Sequence, residues 1–259
     1  MKGEAKGTFP RLVFQRPESL VDVRTHFCPG CHHGIAHRIL AETIDHFHLR
    51  ENTIGVACVG CSVFLYDYID VDVAEAPHGR APAVATGVKR AQPDRFVFTY
   101  QGDGDLAAIG TSEVIHAANR GENITVLFVN NTTYGMTGGQ MAPTTMLGQK
   151  TATSPYGREF RNDGYPIRMA ELVATLEGTA YSARVATSTP AQIRQAKESL
   201  KKAFDMQIRE MGFSLVEFLS TCPTNWGMKP LDAQKRVLGE MSAYFPLGVF
   251  KERKQADFA

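Results

Sequence analysis

The sequence predicts an α/β protein built on a mostly parallel sheet with helices on both faces. Three observations carry that reading. Short apolar runs, of which Ile124-Thr125-Val126-Leu127-Phe128-Val129 is the clearest, have the length and β-branched content of buried strands. Stretches with helical spacing separate those runs, and strand–helix alternation is the pattern of a parallel sheet covered on both sides. Finally, Cys61, Asp103, Asn131 and Cys222 each follow the carboxyl end of a predicted strand. That is the edge at which open α/β sheets bind ligands.

Residues 1–27 are of mixed character, and Pro10 and Pro17 keep them extended or irregular. Cys28-Pro29-Gly30-Cys31-His32-His33-Gly34 forms a tight turn into a helix with Ala36, Ile39, Leu40, Ile44 and Phe47 on one face. A strand follows at 53–57, and a helix at 82–90 has Pro82 in its first turn. The strand at 95–100 ends in Gly102-Asp103-Gly104-Asp105; a helix then runs to about Asn119, and the 124–129 strand ends in Asn130-Asn131.

Residues 132–162 are rich in Gly, Thr and Pro and show no period, which marks a functional or partner-bound loop. A short helix over 169–176 and a strand over 181–186 come next. Thr189-Pro190 caps a strong helix that turns Ile193, Ala196, Leu200, Ala203 and Phe204 inward. The last expected strand covers 213–219 and ends at Ser220-Thr221-Cys222-Pro223. The tail carries Trp226, Met241, Tyr244, Phe245 and Phe250, too apolar for a free tail, so it packs on its own chain or on a partner.

At 259 residues the chain is expected to form a single domain, with an irregular N-terminal segment and a C-terminal tail offered to a partner. Its net charge of +1 argues against a general nucleic-acid surface, which needs a basic stripe. No apolar run reaches bilayer length, so no membrane segment is expected, and Met1-Lys2-Gly3-Glu4 lacks a signal-peptide core. The expected compartment is the cytoplasm, where the five cysteines are thiols rather than disulfides. Two Cys-x-x-Cys pairs, Cys28/Cys31 and Cys58/Cys61, with Cys222 apart, signal metal or redox chemistry. Cys58 taken alone reads as a small buried hydrophobe.

The Gly102–Asp105 loop and Asn131, one helix and one strand apart, suit Mg2+ bound against a diphosphate. Glycines let the backbone approach phosphate, and Asp and Asn offer the hard oxygens a hard cation takes. Asp103, Asn131 and the Thr133 carbonyl are the candidate metal donors, with Gly104 and Asp105 at a helix start. A plain surface turn is the competing reading.

This motif resembles the thiamine-diphosphate motif. Combined with Cys28-Pro29-Gly30-Cys31, Val59-Gly60-Cys61-Ser62, His78-Gly79-Arg80 and Tyr134-Gly135-Met136-Thr137-Gly138-Gly139-Gln140, it resembles the beta subunit of 2-oxoacid:ferredoxin oxidoreductases over roughly residues 24–225. The resemblance implies the diphosphate-binding half of the thiamine-diphosphate-binding fold. It implies Mg2+ on Asp103, Asn131 and Thr133, and a cofactor lined by Val59, Gly60, Cys61, Ser62, His78, Gly104, Asp105, Gly135 and Met136. It also implies a [4Fe-4S] cluster on Cys28, Cys31, Cys61 and Cys222, with structural zinc as the competitor because four thiolates suit either.

The implied activity is CoA-dependent oxidative decarboxylation of a 2-oxoacid, with electrons passed to ferredoxin. The stretch 135–145 looks most like subunits acting on branched-chain 2-oxoacids such as 2-oxoisovalerate, or on 2-oxoglutarate. No glutamate here is an obvious partner for the aminopyrimidine ring, so that acid is expected on an alpha/gamma-type partner subunit. A small ferredoxin-like subunit is expected to hold further clusters. A non-oxidative thiamine-diphosphate decarboxylase half and a zinc-stabilised non-catalytic subunit stay open as alternatives. His32 departs from the family, where glycine often follows the second cysteine. A histidine visits positive φ less easily, so the turn is expected to differ there or His32 to approach the cluster.

Overall fold

The computed structural model describes residues 14–254. Pro10 therefore lies outside the described residues, as does the rest of segment 1–13. A seven-stranded sheet forms the centre: β1 (Thr53–Ala57), β2 (Asp72–Glu75), β3 (Phe96–Gly102), β4 (Thr125–Asn130), β5 (Thr179–Ala186), β6 (Phe213–Leu219) and β7 (Gly248–Glu252). Their order across the sheet is β2-β1-β3-β4-β6-β5-β7. All neighbours are parallel except β5 and β7, which run antiparallel.

The core follows from the strand sequences. Every residue of β4, β5 and β6 is buried, as expected for strands covered on both faces. One layer packs Ile39, Leu40, Ile44, Leu200 and Phe204 of the His33–His46 and Pro190–Ile208 helices on Phe98, Tyr100, Leu127, Val216 and Phe218. The other packs Ala81, Ala85, Val114, Ala117 and Val173 on Val97, Val126, Phe128 and Leu215. The Pro190–Ile208 helix starts as the sequence requires: Pro190 sits at its first position and the Thr189 side chain accepts from the Gln192 N–H at 3.2 Å.

Two strands lie outside the sequence reading. β2 is half-exposed at one edge of the sheet, so its four residues carry no apolar signature. β7 lies in the tail and pairs with β5. The apolar tail packs on its own chain: Val237, Met241 and Phe245 form a cluster with Met146, Ala186 and Leu219, with Trp226 and Tyr244 against it. The 132–162 segment is held by the buried Arg158. Its guanidinium donates to the carbonyls of Pro143 at 2.9 Å, Thr145 at 2.7 Å, Gly164 at 3.0 Å and Tyr165 at 3.0 Å. Side-chain donors thus take the role that a period plays elsewhere.

Candidate functional site at the carboxyl edge of the sheet

Because β1, β3, β4 and β6 are parallel neighbours, their carboxyl ends open on one edge. The loops 58–62, 103–105, 131–133 and 220–222 therefore meet there. Register brings them level: Gly102 pairs with Val129 and Asn130 with Leu219.

Asp103 is buried and lies at the centre. Its Oδ2 accepts from Thr144 Oγ1 at 2.6 Å and from the Thr133 N–H at 3.1 Å, and its Oδ1 from the Gly104 N–H at 2.9 Å. The same Thr133 N–H reaches Asn131 Oδ1 at 3.2 Å. The two prospective metal oxygens therefore sit around one N–H. Among the described residues no Lys, Arg or His pairs with Asp103, and burial pushes its carboxyl up to about 7 despite those donors. A buried carboxylate beside an amide oxygen, without a cationic side chain, is a donor set that suits a hard divalent cation.

Asp105 is buried as well, but its carboxylate is already engaged. Oδ1 accepts from Cys58 Sγ at 2.9 Å and from the Gly79 N–H at 2.7 Å, and pairs with His78 Nδ1. Oδ2 accepts from Gln101 Nε2 at 2.5 Å. Asp105 thus ties the His78-Gly79 loop to β3, and it gives Cys58 a hydrogen-bond partner away from the other thiols. Ser62 turns its hydroxyl back to the Cys58 carbonyl at 3.2 Å.

The remaining cysteines lie near one another. All five are free thiols. Burial, with a contribution from Cys222, Cys61 and Cys28, pushes the Cys31 thiol up to about 12. Burial, then Cys222 and Cys28, pushes Cys61 up to about 11, and burial raises Cys222. The mutual influence marks four sulfurs in one region. A Cβ on Gly135 would stand 3.2 Å from Cys61 Sγ and 3.7 Å from Cys222 Sγ, so Gly135 fits between them. Thr221 Oγ1 donates to the Gly30 carbonyl at 2.5 Å, joining the Cys28–Cys31 turn to the Cys222 loop. Among the described residues no three His, Cys, Asp or Glu side chains close around the single point a lone metal ion occupies.

His32 resolves simply. Its φ is −85°, so the position does not need a glycine, and its Nδ1 is 3.1 Å from Thr187 Oγ1. Burial pushes its imidazole down to about 4.

A cleft of about 70 Å³ opens between the loops. Val59, Gly60, Cys61, His78, Asp103, Gly104, Asp105, Asn131, Thr133, Gly135 and Met136 all line it, so the structure brings these sequence candidates together; Ser62, Cys28, Cys31 and Cys222 are not among the lining residues. A Cβ on Gly60, at φ +113°, would meet nothing within 4 Å, which leaves backbone open toward the cleft. A Cβ on Gly104 would overlap the Tyr134 ring, so that ring lies directly on the glycine. A roomier hollow of about 600 Å³ lies at the β5–β7 end of the sheet, lined by none of the motif residues. Size alone does not mark the site.

Several contributors escaped the sequence reading. Thr144 reaches Asp103 from the loop that lacks a period. Trp226 Nε1 donates to the Asn131 carbonyl at 3.2 Å, and Asn225 Nδ2 to the Gly135 carbonyl at 2.8 Å and to Cys222 Sγ at 3.2 Å. Only the nearness of Asn225 and Trp226 to Cys222 in the chain hinted at them. Among the described residues no glutamate lines the cleft.

The family "thiamine pyrophosphate enzyme, C-terminal TPP binding domain" matches residues 55–218. The chain is 46% identical over 253 residues to the ketoisovalerate oxidoreductase subunit VorA of Methanothermobacter thermautotrophicus, covering 94% of this chain and 53% of that one. It is 39% identical over 213 residues to the 2-oxoglutarate synthase subunit KorB of Archaeoglobus fulgidus, covering 82% and 75%. The chain thus spans about half the length of the VorA relatives it matches. In fold it is similar to a solved 2-oxoglutarate:ferredoxin oxidoreductase from Magnetococcus marinus, with a TM-score of 0.76 at 24% identity, covering 94% of this chain and 86% of that one. The chain belongs to the 2-oxoacid:ferredoxin oxidoreductase family, as a subunit carrying the thiamine pyrophosphate-binding domain.

Proposed function

We propose that this chain is the beta-type subunit of a cytoplasmic 2-oxoacid:ferredoxin oxidoreductase. The overall reaction joins a 2-oxoacid anion and CoA to give the acyl-CoA, CO2, one proton and two electrons, the electrons going to ferredoxin. The observation that carries the reading is the meeting of Asp103, Asn131 and the four thiols of Cys28, Cys31, Cys61 and Cys222 on one sheet edge.

Asp103, Asn131 and the Thr133 carbonyl would hold Mg2+ against the diphosphate of thiamine diphosphate. Val59, Gly60, His78, Gly104, Gly135 and Met136 would line the cofactor, with Ser62 fixing the turn behind Cys61. Asp105 would orient His78, because its carboxylate is paired with Nδ1 and leaves the other ring nitrogen for phosphate. Cys28, Cys31, Cys61 and Cys222 would carry a [4Fe-4S] cluster. When bound, thiamine diphosphate supplies the electron sink for decarboxylation and the cluster supplies a one-electron outlet.

The relatives are named as subunits, which supports a shared active site with an alpha/gamma-type subunit and a separate small ferredoxin-like subunit. Among the described residues no helix is long and apolar enough to cross a membrane. The name of the 46% identical relative favours 2-oxoisovalerate as substrate, with 2-oxoglutarate second. The test is CoA-dependent ferredoxin reduction by the purified complex with 2-oxoisovalerate, 2-oxoglutarate and pyruvate, beside iron and sulfide analysis. Turnover highest with 2-oxoisovalerate and iron matched by sulfide are the expected results. Zinc in place of iron, or no turnover with any 2-oxoacid, would refute the proposal.

A further inference from the structure

The loop that presents Asn131 and Thr133 contains a local anomaly. Thr132 has φ +60°, a conformation that β-branched residues avoid, and its buried Oγ1 has no hydrogen-bond partner among the described residues. A glycine would meet neither cost. Such an outlier persists only where its surroundings force it.

The forcing contacts are visible on both sides of the residue. Its N–H donates to Asn130 Oδ1 at 3.2 Å, and its carbonyl accepts from Thr145 Oγ1 at 2.6 Å and Gln149 Nε2 at 3.1 Å. Asn130 is itself fixed, since its Nδ2 donates to Glu217 Oε1 at 2.7 Å. Glu217 lies on β6 two residues before Leu219, the register partner of Asn130, so the two side chains are diagonal neighbours on one face. Both are fully buried. The other oxygen of Glu217 is held by Arg184 at 2.9 Å and by the Ala170 N–H at 3.3 Å. A buried ion pair in the sheet is therefore connected, through one amide, to the turn at the rim.

We propose that Asn130 and Glu217 are positioning residues for the metal, holding Thr132 left-handed so that Asn131 and Thr133 reach the point faced by Asp103. The inference rests on the Mg2+ site proposed above. Neither residue touches the ion; both act through the backbone of Thr132. Asn130 would otherwise be read as the spare half of the Asn-Asn pair, and Glu217 as an acid misplaced in a strand.

The probe is Mn2+, titrated into the complete complex with thiamine diphosphate and followed by the electron paramagnetic resonance of the free ion. Asn130→Ala is expected to weaken Mn2+ binding by about 10- to 100-fold, the usual effect of losing a group that orients a metal ligand. Glu217→Gln is expected to weaken it in the same direction. Adding Thr132→Gly to Asn130→Ala is expected to restore most of the affinity, because glycine takes positive φ without support. A merely structural role for Asn130 would lower the melting temperature and give no such rescue. Unchanged Mn2+ affinity in Asn130→Ala, or no recovery in the double variant, would overturn the proposal. Asp103→Asn separates the two levels. Loss of Mn2+ there, with Asn130→Ala unaffected, removes only this inference; full retention in Asp103→Asn removes the metal site and the inference together.

Discussion

Thr144 Oγ1 donates to Asp103 Oδ2 at 2.6 Å across 41 residues of chain. That bond closes the 132–162 loop onto a buried carboxylate of the rim with which, among the described residues, no Lys, Arg or His pairs. It makes the loop part of the site rather than a cover over it. Thr144→Val should lower the stability of the metal-free protein by about 1–3 kcal/mol, the cost of a buried acceptor losing a donor. Chemical denaturation without added divalent ion checks this, and an unchanged midpoint would contradict it.

Asp103→Ala should abolish Mg2+-dependent thiamine diphosphate binding while leaving the visible absorption of the cluster. Calorimetric titration and an absorption spectrum of the same sample separate the two effects. Unchanged cofactor affinity would count against Asp103 as a ligand.

Cys222→Ser should strip iron and sulfide from the protein, whereas Cys58→Ser should leave both in place. The difference follows from geometry: Cys58 points to Asp105, while Cys222 shares the neighbourhood of Cys61 beside Gly135. Anaerobic iron and sulfide analysis of both variants decides it. Loss of iron in Cys58→Ser would revive a compact Cys58/Cys61 metal pair.

The chain expressed alone should show little or no oxidoreductase activity, because the proposed active site is shared with a partner and the relatives are named as subunits. Adding the partner subunits should restore turnover. Robust CoA-dependent turnover by the isolated chain would refute the shared site.

His37 makes acid a specific threat to the fold. It is fully buried, both ring nitrogens are unpartnered among the described residues, and burial, then His33 and His26, holds its imidazole well below 6.5. The unfolded chain therefore binds a proton that the folded chain refuses. The stability from keeping His37 neutral is complete above about pH 6.5 and is lost as pH falls below that value. Since its ring packs edge-on to Phe27 and Tyr100, His37→Phe should gain stability at pH 5 relative to pH 8. Melting temperatures of both proteins at the two pH values test this, and an equal shift at both would contradict it.

Much of the fold was legible because its strands are buried on both faces, so the apolar runs of β1, β3, β4, β5 and β6 stood out. β2 was not, since four half-exposed residues at an edge look like loop. The site was legible where glycine, acid and cysteine are bound to strand ends. Thr144, Asn225 and Trp226 were hidden because common residue types took their roles through long-range contacts. Arg158 hid the order of the 132–162 loop for the same reason: one guanidinium satisfying several carbonyls leaves no spacing to read. Asp105 was seen as a phosphate neighbour, but its oxygens face Cys58, Gly79 and Gln101, which sequence order does not bring together.

The antiparallel strand β7 has a bearing on biosynthesis. It covers the outer edge of β5, and it leaves the ribosome after the other six strands of the sheet. Until then β5 offers an uncovered ladder of backbone donors and acceptors to any other nascent chain. Chains stalled or clipped before Gly248 are for that reason the ones most prone to aggregate, although every strand that bears the site is already made.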